Sequence, residues 1–411
     1  MEPHALRRRV PDTFPRGLGR ARFPPYPHPE RGVRPLARRA ARRARLVASR
    51  TRRPFHIPRI MRRTGRRMVA RSRPHSLEPT DRKTTMNQGA IFQPRRLGHV
   101  NVVVADLERS IDFYRDVCGL NLEFTESGLR AAFMGTGHTP HDIGMMERTR
   151  EARRGRDGHT QIPKGAAQAV SLNHIAWEMD TEADLVRAYE RALAAGIAVP
   201  RTLDHQIAHS VYLKDPDGNT NEFYADTIKD WREVLHGDVA LITSTWKPGN
   251  APAATERRWS AKPDRRPVPH AAMQPLKLSH VVLTTPSLEP MAAFYTQVAG
   301  LEPVASSERG VLLRTPHHGT AYQLAIVQGE APGMHHFTFE VAGAPDWELA
   351  ASRLQSLGCL MARHEGGAAK RGVLAVDPDG FHVEFAEPRT GDPAVLGRVL
   401  RAPAGELAAV I

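Results

Sequence analysis

The stretch LGHVNVVVADLERSIDFYRDVCGL (97–120) decides the fold. It begins with an alternating, valine-rich strand, and Asp106 then provides an N-cap for an amphipathic helical run that ends at Gly119. The same pattern returns 181 positions later in LSHVVLTTPSLEPMAAFYTQVAGL (278–301), with Ser287 at the capping position. An internal repeat over this length predicts a chain built from similar structural units.

A second repeat, at a constant offset of 162 positions, follows each of these stretches. It pairs His174 with His336 and Glu222 with Glu384, and both copies carry the turn sequence DPDG, first at 215–218. Each unit has the pattern of a strand, a helix and then short strands, with the DPDG turn between the last two. The sequence therefore predicts an α+β fold of four βαβββ modules paired into two domains.

The predicted organisation of the chain has five parts. In order, they are a disordered Arg-rich segment (1–90), a first domain that is expected to be catalytic (94–235), a Pro- and Arg-rich linker (236–275), a second domain (276–390) and a C-terminal tail (391–411).

The basic character of the chain is confined to its N-terminal segment. Residues 1–85 carry 24 Arg and one Lys against five acids, a net charge of +20, whereas the remainder carries −6. A segment this basic, with scattered prolines and no apolar period, cannot bury enough surface to fold alone and is expected to be disordered. Three interpretations compete: a nucleic-acid-binding arm, a transit peptide, or a non-native upstream extension with Met86 as the start. We favour the third, so a nucleic-acid partner is not expected.

The composition also excludes some classes of protein. Hydrophobic residues make up 41% of the chain, as in a globular protein, and no apolar run approaches the length that spans a bilayer. Cys118 and Cys359 follow no metal or redox spacing and are expected to be small buried hydrophobes. This cysteine usage fits a cytoplasmic protein in a reducing compartment.

Paired βαβββ units, with a histidine on each first strand and a glutamate after DPDG, resemble the vicinal oxygen chelate superfamily. That superfamily includes glyoxalase I, bleomycin-resistance proteins and type I extradiol dioxygenases. The most specific segments are 97–120, LNHIAWEM (172–179) and DHQIAHSVYLKDPDGNTNEFY (204–224). The resemblance extends over residues 95–390 and is closest to the catechol 2,3-dioxygenase-like, ring-cleaving members. It implies that two units curl their sheets into an open cup around one metal ion.

The resemblance assigns three metal ligands to the first cup, namely His99, His174 and Glu222. Two imidazoles and one carboxylate on one face of an octahedron leave the other positions open, which suits non-haem Fe(II) oxygenases. The implied cofactor is Fe(II), with Mn(II) as an alternative. Because the same three residue types recur in the second half, we do not interpret them as unrelated polar residues on strands.

Glyoxalase I supplies a fourth ligand, a glutamate on the last strand of its first unit. The corresponding strand here reads HDIGMM (141–146) and has no glutamate at that position, although Asp142 lies nearby. The missing fourth ligand favours the dioxygenase over the isomerase.

The resemblance implies three further residues around the metal. Tyr212 precedes Glu222 by ten residues, the spacing of the active-site tyrosine in extradiol enzymes, and its hydroxyl would hydrogen-bond a ring oxygen of the substrate. His141 would act as an acid or base near neutral pH. His205, in an Asp-His pair, is the second candidate histidine, and His209 is its competitor.

The second half keeps the same ligand types at His280, His336 and Glu384, so a second metal could bind there. It lacks the surrounding residues of the first half. The counterparts of Tyr212, His205 and His141 are Leu374, Gly367 and Tyr322. We therefore expect a catalytic first half and a structural or regulatory second half, the reverse of the usual arrangement in two-domain extradiol dioxygenases.

These observations favour an Fe(II)-dependent extradiol dioxygenase that cleaves the ring of a small catechol-type aromatic diol with O₂. Two alternatives stay open. One is a metal-dependent isomerase or epimerase of the glyoxalase type, and the other is a non-enzymatic, bleomycin-resistance-like binding protein. A homo-oligomer is compatible with the resemblance, because superfamily members often form dimers.

Overall fold

The structure is a computed structural model, and it describes part of the chain. The described residues are 89–154, 158, 160–240, 245–260, 262–317, 321–341, 345–365, 370–388 and 391–401. The expectation of disorder for the Arg-rich segment and the assignment of Gly367 lie outside these residues, as does the end of the C-terminal segment. No helix in the described ranges is both long enough and apolar enough to cross a membrane.

The first half of the described chain forms one large sheet and a small ribbon. Its strands are β1 (Arg96–Val104), β2 (Asn121–Glu126), β3 (Ala131–Gly135), β4 (Ile143–Glu147), β5 (Arg153–Arg154), β6 (Thr160–Ile162), β7 (Ser171–Glu178), β8 (Arg201–Asp204), β9 (Ala208–Lys214), β10 (Thr220–Asp226) and β11 (Gly237–Asp238). The ribbon is β5-β6, and the sheet has the order β11-β2-β3-β4-β1-β7-β10-β9-β8.

The second half forms a sheet with the same inner order. Its strands are β12 (Pro275–Thr285), β13 (Glu302–Ser307), β14 (Gly310–Arg314), β15 (Leu324–Gln328), β16 (Gly333–Val341), β17 (Leu360–Glu365), β18 (Arg371–Val376) and β19 (His382–Ala386). They are ordered β13-β14-β15-β12-β16-β19-β18-β17. The helices are α1 (Leu107–Asp112), α2 (Glu182–Ala194), α3 (Leu288–Ala293), α4 (Trp347–Ser356) and α5 (Pro393–Val399).

In each half, the first strands of the two units join the units into one continuous sheet. Strand β1 pairs with β7 and β12 pairs with β16, in both cases antiparallel. The last strand of the second unit then lies parallel to the first, as β10 beside β7 and β19 beside β16. The predicted α+β class, with paired repeats in two sheet domains, is confirmed.

The helix that the opening stretch predicts forms, and its capping differs between the two copies. Asp106 accepts a hydrogen bond from the backbone N–H of Arg109 at 3.0 Å, whereas the side chain of Ser287 makes no capping bond to α3. Each helix continues into one π-helical segment, Phe113–Val117 or Phe294–Val298.

A glycine follows each π-helical segment, and only glycine fits there. Gly119 and Gly300 have φ angles of +78° and +79°. A side chain on Gly119 would collide with the carbonyl oxygen of Met273, and one on Gly300 with that of Phe92. These positions require a left-handed backbone conformation and also the absence of a side chain, and glycine provides both.

The two halves pack through one hydrophobic core and a reciprocal pair of hydrogen bonds. The Tyr114 hydroxyl donates to Asp377 Oδ2 and the Tyr295 hydroxyl donates to Asp215 Oδ2, both at 2.9 Å. Because each tyrosine lies in a first unit and each aspartate begins a DPDG turn, the two bonds are related by the repeat. All four side chains are buried at this junction.

The segment expected as a linker packs against the first half. Strand β11 extends the first sheet beside β2, and the Ala254 N–H donates to Glu182 Oε2 at 2.9 Å. Further along, the indole N–H of Trp259 donates to Asp180 Oδ1 at 3.0 Å, and the Arg95 guanidinium lies 3.6 Å from the Trp259 ring centroid. The part of this segment that the structure describes is therefore a strap packed on the first half.

The C-terminal segment, expected only as a tail, begins with helix α5. Leu396, Val399 and Leu400 are buried against Val282 and Leu312 of the second half. The described part of this segment therefore belongs to the packing of the second sheet. Its helix begins at an Asp392 cap, whose side chain accepts from the Ala394 N–H.

Candidate metal centre

Three neighbouring strands position the candidate ligands of the first half. His99 lies on β1, His174 on β7 and Glu222 on β10, and these strands are adjacent in the sheet. Ala176 pairs with both His99 and Glu222. Since side chains alternate along a strand, His174, two residues before Ala176, points to the same face. All three ligand candidates are buried.

The ligand atoms converge on one point. His99 Nε2 lies 3.2 Å from His174 Nε2 and 3.1 Å from Glu222 Oε2, and His174 Nε2 lies 3.1 Å from the same oxygen. Adjacent ligands of an octahedral ion with bonds of about 2.1 Å lie roughly 3.0 Å apart, and those of a tetrahedral ion roughly 3.4 Å apart. The observed separations of 3.1–3.2 Å lie between these two values, so the three atoms are spaced to bind one ion.

The electrostatics of the three residues suit a cation. Burial alone would raise the pKa of the Glu222 carboxyl, but the contacts with the His174 and His99 rings outweigh it and hold that pKa well below its usual range. Burial lowers the pKa of His99, which favours the neutral ring that can bind a metal. His174 Nδ1 lies 2.7 Å from Asn173 Oδ1, so a proton on Nδ1 leaves Nε2 available as a ligand.

His141 packs directly on a ligand ring. It precedes β4, and its ring centroid lies 3.9 Å from that of His99. Burial, followed by the neighbouring His99, lowers the pKa of His141 well below its ordinary value. His141 is therefore a neutral imidazole at pH 7, able to accept a proton beside the ligand cluster.

Tyr212 and His205 form a chain of hydrogen bonds that ends on the ligand carboxylate. The Tyr212 hydroxyl donates to Glu222 Oε1 at 2.7 Å, and His205 Nε2 lies 2.9 Å from the same hydroxyl. Because the hydroxyl proton faces Glu222, we assign the proton of His205 to Nε2. Burial lowers the pKa of His205 to about 4, and burial, then Glu222, raises the pKa of Tyr212 well above its usual value. Both groups are neutral at pH 7.

His209, the competitor of His205, is held elsewhere. Its Nδ1 lies 2.7 Å from Glu182 Oε1 on α2, and its ring stacks on Trp246 with the centroids 4.5 Å apart. The geometry thus brings His205 to the ligand cluster and His209 to the strap.

Asp142 directly follows His141 in the sequence, but its carboxylate bonds other groups than the three ligand candidates. Its Oδ2 accepts from the backbone N–H and the hydroxyl of Thr136, at 2.6 and 2.8 Å, and its Oδ1 accepts from the Leu278 N–H at 3.4 Å. Both oxygens are engaged, so Asp142 is not available as a fourth ligand.

The cluster lies in a cavity of about 560 Å³. This volume falls within the usual range of small-molecule sites. Its lining includes Phe124, Phe133, Gln161, Asn173, Arg201 and Tyr224. None of these six was assigned a role from the sequence. Asn173 could have been found, because it directly precedes a ligand histidine, whereas the others depend on how β2, β3, β6, β8 and β10 assemble.

The second half brings His280, His336 and Glu384 together, as a second cluster that could hold a metal ion. Tyr322 lies against His280 with ring centroids 4.7 Å apart, so it is the structural counterpart of His141. Three further side chains contact this cluster, and one of them is His364, whose Nε2 lies 3.4 Å from Glu384 Oε1. Thr338 Oγ1 donates to Glu384 Oε2 at 2.7 Å and lies 3.1 Å from His280 Nε2, and the Lys370 ammonium pairs with the same carboxylate oxygen.

Comparison with known families supports the division into two halves. The model of the Glyoxalase/Bleomycin resistance protein/Dioxygenase superfamily matches residues 96–223 and 277–385, which together make up more than half of the chain. These two segments contain most of the strands of the two sheets.

The chain is similar to both dioxygenases and a lyase. It is 23% identical over 289 residues to the catechol-2,3-dioxygenase of Bacillus subtilis (strain 168), covering 66% of this chain and 90% of that protein. It is 30% identical over 135 residues to the lactoylglutathione lyase of Neisseria meningitidis serogroup A, covering 31% of this chain and 88% of that protein.

A solved structure with the same fold is that of homoprotocatechuate 2,3-dioxygenase from Brevibacterium fuscum, in complex with 3,4-dihydroxyphenylacetate. The TM-score is 0.51 at 18% identity, and the match covers 74% of this chain and 84% of that chain. At this identity the likeness concerns the fold alone.

Proposed function

The chain belongs to the Glyoxalase/Bleomycin resistance protein/Dioxygenase superfamily, and we propose that it is an Fe(II)-dependent extradiol dioxygenase. Its substrate would be a catechol-type aromatic diol, and its co-substrate O₂. Mn(II) is the alternative metal. The relationship to a catechol-2,3-dioxygenase over most of that protein's length supports a dioxygenase role at the level of the family.

The observation that carries the proposal is the geometry of the first cluster. His99, His174 and Glu222 would hold the metal, because their ligand atoms lie 3.1–3.2 Å apart and line the cavity. Two imidazoles and one carboxylate are the donor set of non-haem Fe(II) oxygenases. Bound iron would supply a redox-active centre at which a diol and O₂ can bind side by side.

The residues around this cluster would handle the protons of the diol. His141 and His205 are both neutral at pH 7, since burial lowers the pKa of each. A neutral imidazole can accept the proton that a diol hydroxyl loses on binding, and can return it later in the reaction. Tyr212 stays protonated, as its raised pKa requires, and its hydroxyl would turn its one proton from Glu222 to a substrate oxygen when the diol binds.

The test is oxygen uptake. The protein would be stripped of metal, loaded with Fe²⁺ without oxygen, and mixed with a broad panel of catechols in an oxygen-electrode cell. We expect one O₂ consumed per diol, together with the yellow absorbance of a ring-opened semialdehyde. H174Q should lose both signals, whereas H336Q, the matching change in the second half, should retain them. The absence of uptake with every diol would refute the proposal.

A glyoxalase-type isomerase is the second candidate, because the lyase relative is 30% identical over the region it matches. The engaged oxygens of Asp142 argue against it, since they withdraw the carboxylate that lies nearest in sequence to the position of a fourth ligand. Oxygen-independent turnover by Ni²⁺-, Zn²⁺- or Co²⁺-loaded protein would favour this candidate. Ligand binding without turnover under any metal would favour a bleomycin-resistance-like binding protein.

A further inference from the structure

Two of the differences between the ligand clusters of this chain replace an alanine with a residue that bonds the ligands. The ligands correspond one to one, as His99 with His280, His174 with His336, and Glu222 with Glu384. Between them, the first half has two alanines where the second half has hydrogen-bonding residues. At the 162-residue offset, Ala176 corresponds to Thr338 and Ala208 to Lys370.

The strand registers show that Ala176 and Thr338 occupy equivalent positions in the two sheets. Ala176 pairs with His99 on one side and with Glu222 on the other. Thr338 pairs in the same way with His280 and Glu384. The hydroxyl of Thr338 thus lies between His280 and Glu384, at the position that the Ala176 methyl group occupies in the first half. It bonds both of them, at 3.1 and 2.7 Å.

The second exchange brings a positive charge into the cluster. The side chain of Lys370 is only 3% exposed, and its ammonium pairs with Glu384 Oε2 and lies 3.1 Å from His280 Nε2. These are two of the three ligand atoms that a metal ion would need. In the first half, Ala208 lines the cavity and carries no charge.

We propose that the Lys370 ammonium is the resident cation of the second cluster, so that His280, His336 and Glu384 bind no metal and the chain binds a single metal ion, in its first half. This inference goes beyond the proposed function: its count of one ion rests on metal binding in the first half, but it does not depend on ring cleavage, and the metal titration below is independent of the oxygen-uptake test.

The physical argument rests on charge and on occupied lone pairs. A buried carboxylate needs a counter-charge, and Lys370 provides one that is covalently attached and independent of the metal supply. A divalent ion in this cluster would lie within a few ångströms of the ammonium in a medium of low dielectric, where like charges repel strongly. It would also have to displace the bonds of Thr338 and Lys370 from Glu384 and His280.

The test counts metal ions by the EPR signal of free Mn²⁺ during titration of the metal-free, full-length chain. We expect the wild type to bind one equivalent and the H174A variant none. H174A combined with T338A and K370A, which restores the two alanines of the first half, should bind one equivalent again. A second equivalent in the wild type that disappears in H336A would overturn the proposal, as would a folded triple variant that binds no Mn²⁺.

The reverse exchange keeps the proposal testable if the triple variant does not fold. A176T combined with A208K should introduce the threonine and the internal cation into the first cluster. We expect this variant to lose its Mn²⁺ equivalent while it keeps the circular dichroism spectrum of the wild type. A folded variant that still binds one equivalent with the wild-type affinity would overturn the proposal.

Discussion

Tyr212 connects two kinds of residue in the candidate centre, because its hydroxyl donates to the ligand Glu222 and contacts His205. One hydroxyl can therefore affect both the orientation of the carboxylate and the position of a proton-accepting imidazole. At the scale of single residues, this hydroxyl gives the clearest distinction between catalysis and simple ligand binding.

We predict that Y212F lowers kcat for ring cleavage by about 10²-fold, which is the usual contribution of a positioned proton-transfer or hydrogen-bonding group. Its iron content at saturating Fe²⁺ should stay near that of the wild type, because the three ligands remain. The measurements are steady-state oxygen uptake and metal analysis. Y189F, on a half-buried face of α2, is the matched control and should leave kcat unchanged. A Y212F variant with the wild-type kcat would contradict the assigned role.

His205, in the turn before β9, and His209, in that strand where it pairs with β8, lead to opposite expectations. H205A should lower kcat by roughly 10²-fold, since it removes the imidazole next to Tyr212. H209A should change kcat by less than about threefold and instead destabilise the fold by roughly 1 kcal/mol, since it removes the contacts with Glu182 and Trp246.

Urea unfolding and oxygen uptake of both variants separate the two effects. The assignment of His205 would fail if H209A, rather than H205A, lost activity at unchanged stability.

At the scale of elements, the repeat preserves each helix but not its capping interaction. Asp106 caps α1 through its side chain, whereas Ser287 occupies the same position before α3 without a capping bond. A capping position predicted from residue type can therefore be correct in place and still differ in its contribution to stability.

We predict that D106A destabilises the protein by about 1 kcal/mol, the usual cost of losing an N-cap hydrogen bond. S287A is the matched control, and it should cost less than about 0.5 kcal/mol, because no bond to the helix is lost. Unfolding free energies from urea titrations measure both. Equal costs for the two substitutions would show that capping is not what Asp106 contributes.

At the scale of the whole molecule, the halves meet at two buried tyrosine–aspartate pairs, Tyr114 with Asp377 and Tyr295 with Asp215. Burial raises the pKa of the Asp377 carboxyl to about 6, even though backbone N–H groups and Tyr114 stabilise its charged form. The folded chain therefore binds a proton at Asp377 more tightly than the unfolded chain does.

This difference predicts a dependence of stability on pH. The contribution of a group whose pKa is raised on folding is fully present below the unfolded pKa, near 4, and is lost as the pH rises through about 6. Relative to D377N, whose amide does not titrate, the wild type should lose roughly 2 kcal/mol of unfolding free energy between pH 4 and pH 7.

Urea titrations of both proteins at pH 4, 5, 6 and 7 provide the measurement. D112N, at an exposed carboxylate of α1, is the control and should follow the wild type. If the wild type and D377N changed in parallel over this range, the raised pKa would be wrong.

The amino-acid sequence by itself determined the repeat and the α+β class, because strand alternation, helix caps and the DPDG turns are local features. The burial of both cysteines follows from residue type in the same way. The candidate ligands His99, His174 and Glu222 came from the family resemblance that the repeated motifs carry.

Only the tertiary structure decided which residues surround those ligands. In the folded chain, His205 rather than His209 contacts Tyr212, and Asp142 bonds Thr136 instead of the ligands. Lys370 and Thr338 contact the second cluster. The two ligand triads have the same residue types but different charged surroundings. Residues of β9 contact the first triad, whereas β16 and the residue before β18 bring a hydroxyl and an ammonium group to the second. The neighbours of each triad lie within a few ångströms of it because strands pack side by side. The spacing of the ligands along the sequence does not encode that packing.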